Sequence, residues 1–456
     1  MAGLVDLLSI ARSALMTQQR ALNTTGTNIA NASTPGYVRQ TLNLTEAVPQ
    51  NTPNGPLGRG VTDTGVTAQR DVFLDASYRE EQGTYNAANT LSGMVSQVQT
   101  LFNEPTSGGL GASIDTLIGA FGDLANDPSN GAVRNTVQAD AQQVIQQFHS
   151  LDDGLNDTVG NARQQFSADV DQVNQIATQV AELNKQIVAQ RAGGHDAPDL
   201  ETQRGVLLDQ LSTLGDTRVL DRTDGSVGVV FGDTMLVDSG TAQQFSASAS
   251  GSGMVATVVG DTRTVQISSG SLAGLENIMT TAIPDVRAGL NQLSAALVSA
   301  VNTLHETGTT PGGATGTDFF DPAGTTAATI ALSSTVAASP SNIAAGASSA
   351  SGDGSIALAL SQLGTATNAS LGGISIPNFY DSVVTKLATT VQNAQDDASA
   401  AQTISAGLSA QRSSETGVST DEEMIALITQ QQAYTAAAHV VTVANDLMTD
   451  VLNMVQ

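Results

Sequence analysis

Two apolar stripes with a seven-residue period, one at each end of the chain, limit the possible folds more than any other feature. Leu8, Leu15, Leu22 and Ile29 follow Met1 at that spacing, and Leu427, Tyr434, Val441, Met448 and Val455 repeat it near the C-terminal end. On a helix each set forms one seam, the pattern of a coiled-coil partner. Gln18 and Thr25 interrupt the first seam, and an ordinary amphipathic core helix fits the same period. A further stripe of Val440, Ala444, Leu447, Val451 and Met454 widens the second apolar face, so the helix there needs more than one neighbour. Pairing the two end helices would hide one stripe of each. Every Leu or Val left wet forgoes roughly 1.5 to 3 kcal/mol, so the leftover face predicts contacts with other copies, and order at the ends that is gained on assembly.

The first helix runs into NIANASTPGYVRQ, residues 28–40. Pro35 disfavours helical geometry at Thr34, and Gly36 permits positive φ, so the helix ends here. Asn28, Asn31, Ser33 and Thr34 can bond local backbone, and Tyr37 either packs on the turn or sits in a loop. The motif reads as a hinge or as a plain helix stop. The last helix opens at VSTDEEM, where Thr420 can cap and Glu423 can complete a capping box, with the acids favouring the positive helix end.

Between the ends, residues 41–66 are dense in Pro, Gly and Thr and read as extended chain with one hairpin. Helical spacing returns over 72–102 and 111–124. It is then sustained from Val133 to Ile187, a rod of roughly 90 Å at about 1.5 Å per residue, with Gly154 and Gly160 as its candidate breaks. Past RAGGHDAP the period changes from helical to alternating. RVLDRT, Asp224-Gly225 and SVGVVF predict a hairpin, and later runs extend it into a small β unit. Helix is predicted again over 272–305 and from Phe379 to RSSETG, while residues 323–372 read as loops and short helices. The organisation is mainly α with a small inserted β domain: an elongated protein whose terminal helices pair as a coiled coil (1–40 and 415–456), a mostly helical middle domain with a long bundle (41–205 and 272–414), and a β insert (206–271).

Composition narrows the chemistry. Aromatics are 3% and Trp is absent, which suits thin helical packing on Ala, Val, Leu and Ile. The formal charge of -26, from 17 basic against 43 acidic residues, argues against nucleic acid and against anionic membrane surfaces. No stretch is apolar enough for membrane insertion, and MAGLVDLLSIARSALM lacks the basic and long apolar regions of a cleaved signal. Cysteine is absent. The four histidines are scattered without HExxH spacing, and no GxSxG elbow, Walker loop or strand-borne GxGxxG occurs, so no catalytic, cofactor-binding or metal-binding residue is assigned. Asp421, Glu422 and Glu423 are explained by capping.

ANASTPGY (30–37) resembles the motif that follows the N-terminal helix of bacterial flagellar rod, hook and hook-associated proteins, and residues 419–454 resemble their C-terminal helix. GGHDAPDLETQRGVLLDQLS, VNTLHETG with the later GTDFFDP, and PNFYDSVV are similar to the flagellar hook-associated protein 1 family. The resemblance implies a non-enzymatic structural subunit of the hook–filament junction, extracellular and exported without a cleaved signal. The terminal pair would form the inner core and the β insert an outer domain. Implied partners are further copies in a ring or short helical zone, the hook protein, the next hook-associated protein or filament side, and an export chaperone. Another axial component, hook or distal rod, is the nearer alternative; a secreted cell-wall hydrolase would need a carboxylate or His site that the sequence lacks.

Overall fold

The computed structural model describes residues 2–52, 55–102 and 108–454. Met1, Pro53 and Val455 lie outside the described residues. Helix α1 (Ala2–Asn31) ends at the Pro35-Gly36 break and leads into a ribbon. In the ribbon β1 (Gln40–Glu46) enters, β2 (Gln50–Thr52) and β3 (Gly55–Leu57) pair at the tip, and β4 (Val61–Ala68) returns. β1 and β4 are antiparallel, with Gln40 opposite Ala68, so the extended stretch holds two nested hairpins where one was predicted. Asp71 then accepts the Phe73 and Leu74 amides at 2.9 and 3.0 Å and starts α2 (Val72–Phe102).

After α3 (Leu110–Asn126), the rod forms without a break as α4 (Gly131–Ala192, 62 residues). Asn130 caps it by accepting the Ala132 amide. Val137, Val144, Phe148, Leu155, Phe166, Val173, Val180 and Ile187 are all essentially solvent-free, the three-and-four spacing read from the sequence. Gly154 does not interrupt the helix; a Cβ there would stand 2.9 Å from Leu101, so the glycine lets α2 approach closely. α5 (Pro198–Leu214) follows. The expected domain boundary at 206 therefore falls inside a helix, because α5 packs continuously on α4 and α2.

The β unit has two small sheets. One is β5 (Thr217–Asp221), β6 (Val227–Phe231), β7 (Thr234–Asp238) and β8 (Thr241–Ala242), in that order. The other places β10 (Gly253–Val258) between β9 (Phe245–Ser250) and β11 (Thr264–Val265). The predicted Asp224-Gly225 hairpin joins β5 to β6, with Gly225 at φ 87. Both sheets are fastened to α4 by asparagine amides that imitate strand pairing. Asn174 gives and takes one bond with Phe245 (2.8 and 2.7 Å), and Asn184 does so with Val227 (2.8 and 3.1 Å). Each amide satisfies a peptide group that the end of a sheet would otherwise leave open.

α6 (Gly270–Asn277) continues through a π turn (Ile278–Ala282) into α7 (Ile283–His305), so the predicted single helix carries a widened turn. Pro284 has no N–H to give, and the Ile283 amide bonds Ile278 O instead. The VNTLHETG and GTDFFDP segments meet: Asn302 accepts the Phe319 and Phe320 amides at 3.0 and 2.9 Å and donates to Phe320 O. Buried His305 bonds Thr317 O through Nδ1 and accepts the Ala344 amide at Nε2. This holds it neutral, and burial lowers its pKa. Residues 323–372 add only α8 (Ser334–Ala338), α9 (Ser355–Ser361) and short 3-10 turns. α10 (Ile376–Thr416) packs along α2, and α11 (Thr420–Met454) packs on α1. The end helices are thus formed and paired within one chain; what they lack is cover on their outer sides.

Candidate assembly site: the terminal pair and its joint

The most buried positions of the terminal pair are small or polar, and α1 packs against both α11 and the ribbon. On α1 the deeply buried positions are Ala11, Thr17, Ala21, Thr25 and Asn28. On α11 the least exposed line is Glu423, Gln430, Ala437, Ala444 and Val451, again seven residues apart. The predicted seam lies beside it. Leu8, Leu15, Leu22 and Ile29, with Leu427, Val441 and Met448, are half-buried, and Tyr434 is 38% exposed.

A second apolar face of α11 points away from α1. Ile425 is 67% exposed, Val443 54%, Leu447 45% and Met454 79%. At 3.6 residues per turn these four fall within about 40° of one another. On α1, Val5 and Met16 are likewise exposed. Such a stripe is costly on a solitary helix and is the mark of an interaction surface.

The joint at the base of the pair is a closed polar knot. Asn28 is 1% exposed and uses its whole amide. Nδ2 donates to Gln40 O at 2.9 Å and to Glu423 Oε2 at 3.0 Å, while Oδ1 accepts from Gln40 N and Tyr37 Oη, both at 3.0 Å. Arg39 Nε donates to Glu423 Oε1 at 2.7 Å, and Gln40 Nε2 to Asp199 Oδ1 at 2.6 Å. The Arg39 amide bonds Thr416 O, at the end of α10. One side chain on α1 therefore ties together the ribbon, α11 and the turn. Burial, with Asp199 and Glu423 adding to it, pushes the Tyr37 hydroxyl up to about 12.

Gly36, at φ +75, presses on α5: a Cβ there would stand 2.6 Å from Val206. Beneath the turn is a cavity of about 360 Å³ bounded by Tyr37, Asp209, Arg412 and Thr416. Its floor is a charge cluster joining α2, α5 and α10. Arg412 reaches Asp75 and Asp209 at 2.7 Å each and stacks over Tyr78 at 5.0 Å, and Arg79 reaches Asp209 at 2.7 Å. Burial works against the Arg412 charge, but Asp209 and Asp75 outweigh it and hold its pKa above the ordinary value.

The hinge residues come together only in part. Asn28, Gly36 and Tyr37 take part in the joint. Asn31 bonds Thr27 O and Thr34 Oγ1 locally, and Pro35 is exposed. The capping assignment needs correction: Thr420 is already the first helical residue, and Ser419 Oγ accepts the Glu422 amide at 3.5 Å. Glu423 does not fold back on its own helix, because Asn28 and Arg39 take both its oxygens. Arg39, Gln40, Asp199 and Arg412 were not singled out from sequence. The one local hint was an arginine two residues beyond Tyr37.

Among the described residues no group of three or more His, Asp or Glu could hold a metal ion, and no helix is long and apolar enough to cross a membrane. Residues 95–320 match the flagellar hook-associated protein FlgK helical domain, 8–37 the flagella basal body rod protein family, and 410–454 the flagellar basal body rod FlgEFG protein C-terminal family. Flagellar hook-associated protein 1 of Bacillus subtilis (strain 168) is 29% identical, over 98% of this chain and 97% of that protein. The protein of that name in Escherichia coli (strain K12) is 28% identical over 69% of this chain and 60% of its own length. The flagellar hook junction protein FlgK from Burkholderia pseudomallei has a similar fold, with a TM-score of 0.50 at 23% identity over 54% of this chain and 46% of that one.

Proposed function

The chain belongs to the flagellar hook-associated protein 1 family, and from that premise we propose that it is a non-enzymatic subunit of the junction between flagellar hook and filament. It works by mechanical adaptation, joining two lattices of different subunit contacts. Copies assemble in a ring or short helical zone outside the cell, with the hook protein on one side and the next hook-associated protein or filament on the other. Before assembly the chain is exported with a chaperone covering its apolar surface. A hook or distal rod role is disfavoured because the match at 95–320 is to a hook-associated family.

The observation that carries this reading is the outer face of α11, apolar and bare while its inner face is already occupied by α1. Paired helices that still show Ile425, Val443, Leu447 and Met454 to water have half of their packing left to make. Ile425→Asp and Val443→Asp place charge on that face without touching the α1 contact. The expected result is native helix content and thermal stability in the monomer with loss of incorporation into junction particles, read by sedimentation and electron microscopy. Variants that incorporate as well as the parent chain would reject the reading.

A further inference from the structure

We propose that the free edge of β5 is a docking groove for the β1–β4 ribbon of a second copy of this chain. The inference rests on the self-assembly just argued and adds a specific contact to it. β5 is the outermost strand of its sheet. Gly232 donates to Asp216 O at 2.8 Å and Arg222 to Ser226 O at 3.1 Å. These bonds turn the peptide groups of residues 216, 218, 220 and 222 toward β6, so Thr217, Val219 and Asp221 direct theirs outward. Among the described residues no backbone bond from elsewhere reaches Val219 or Asp221.

That edge opens on a cleft of about 1120 Å³ walled by α2 and α5. Val72 (65% exposed) and Leu220 (48%) line it, and Phe73 beside them is 81% exposed. The chain has ten Phe, and Phe73 is the one left in water; the other nine are buried or half-buried. The cleft lining mixes guanidinium and carboxylate groups, and it keeps some unused donors. Among the described residues Arg218 is exposed with no ion-pair partner, and Arg70, though paired with Asp75 and bonded to Glu201 O, has its buried Nε without an acceptor. An open strand edge, apolar lips and spare guanidinium donors fit an extended segment that carries aliphatic side chains and a carboxylate.

β1 has each of these. The bond from Ala47 N to Gly60 O at 2.9 Å, with the strand register, makes Thr45 a bonded partner of β4 and turns the peptide groups of Leu44 and Glu46 outward. Leu44 is 48% and Val48 83% exposed, and Glu46 is exposed without an ion pair among the described residues. Within its own chain the ribbon is pinned to α1 by Arg20 and Asp63, and to α5 by Gln40 and Asp199. Its outer edge is therefore left for another molecule.

The chain has no cysteine, so single thiols report contacts without background. Full-length Val48→Cys and Leu220→Cys proteins are mixed, allowed to assemble and treated with a short thiol–thiol crosslinker. Each copy carries one thiol, so a Val48–Leu220 product joins two copies. The proposal expects about tenfold more of it than of the product from Val48→Cys with Ser351→Cys, an exposed site elsewhere. Glu46→Arg should lower the yield and Arg218→Glu on the partner should restore it. Particles that form with no enrichment over the control, or with Leu220 linked mainly to Leu220, overturn the ribbon contact and leave the assembly reading standing. An intact chain that never self-associates overturns both.

Discussion

Asn28→Asp probes the joint with almost no change of shape. The side chains match in size, so no void is created; an amide donor becomes an anionic oxygen. That oxygen would stand about 3.0 Å from Glu423 Oε2, and it would face Gln40 O, 2.9 Å away, with nothing to donate. Two unit charges at that separation repel by about 5 kcal/mol at an effective dielectric near 20. Arg39, at 2.7 Å from the other Glu423 oxygen, offsets part of this. The net cost to the closed joint near neutral pH is then about 2 to 4 kcal/mol. One carboxyl can escape by keeping a proton, which raises its folded-state pKa above the ordinary value. A carboxyl so raised binds its proton more tightly in the folded chain, so the penalty is full above the folded pKa and fades as pH falls toward about 4. Hydrogen exchange over residues 20–31 and 420–430 is the assay. Protection there should drop roughly 30- to 900-fold at about pH 7.5, at 1.36 kcal/mol per decade, recover in part at about pH 5, and leave α4 unchanged. Parental protection at the higher pH, or a deficit that grows on acidification, would refute the account of the knot.

Tyr37, pushed up to about 12 against an ordinary 10.0, keeps its proton in the folded chain where the unfolded chain would lose it. Stability should therefore fall as pH rises from about 10 through about 12, modestly because the ring is half-exposed, and Tyr37→Phe should flatten that part of a melting-temperature profile. Gly36→Ala combines a left-handed backbone with a Cβ 2.6 Å from Val206, and should cost about 1 to 3 kcal/mol in denaturant unfolding. Arg412→Met removes the cation shared by Asp75 and Asp209 while keeping much of the bulk. A loss of about 3 kcal/mol is expected, because a buried and a half-buried carboxylate are left under-compensated; an unchanged melting temperature would show that Arg70 and Arg79 suffice.

Much of the fold is legible in the sequence because it is set by local rules. The Pro35-Gly36 stop, the Asp224-Gly225 hairpin and the apolar spacing of α4 each act over a few residues. The predicted terminal seam is mostly half-buried, and the most buried positions of the two helices lie beside it. Hydropathy ranks Leu8, Leu15 and Val441 above Ala21, Thr25 and Ala444, yet the smaller set is the more buried. Glu423 shows a second limit: the capping rule sees Thr420 three residues away but not Asn28, 395 positions earlier in the chain. The Asp75, Asp209 and Arg412 cluster is assembled from three separate helices, and no spacing rule links them. Residue 206 falls within α5 because the change of period comes only after that helix.

The unbroken length of α4 has a mechanical consequence. Both sheets hang from its second half through Asn174 and Asn184, while its first half is built into the helical core. The modules thus share one continuous column with no joint between them to slide. A torque applied at the sheets travels along the peptide backbone of that column, and the molecule yields by bending as a strut rather than by parting at a seam.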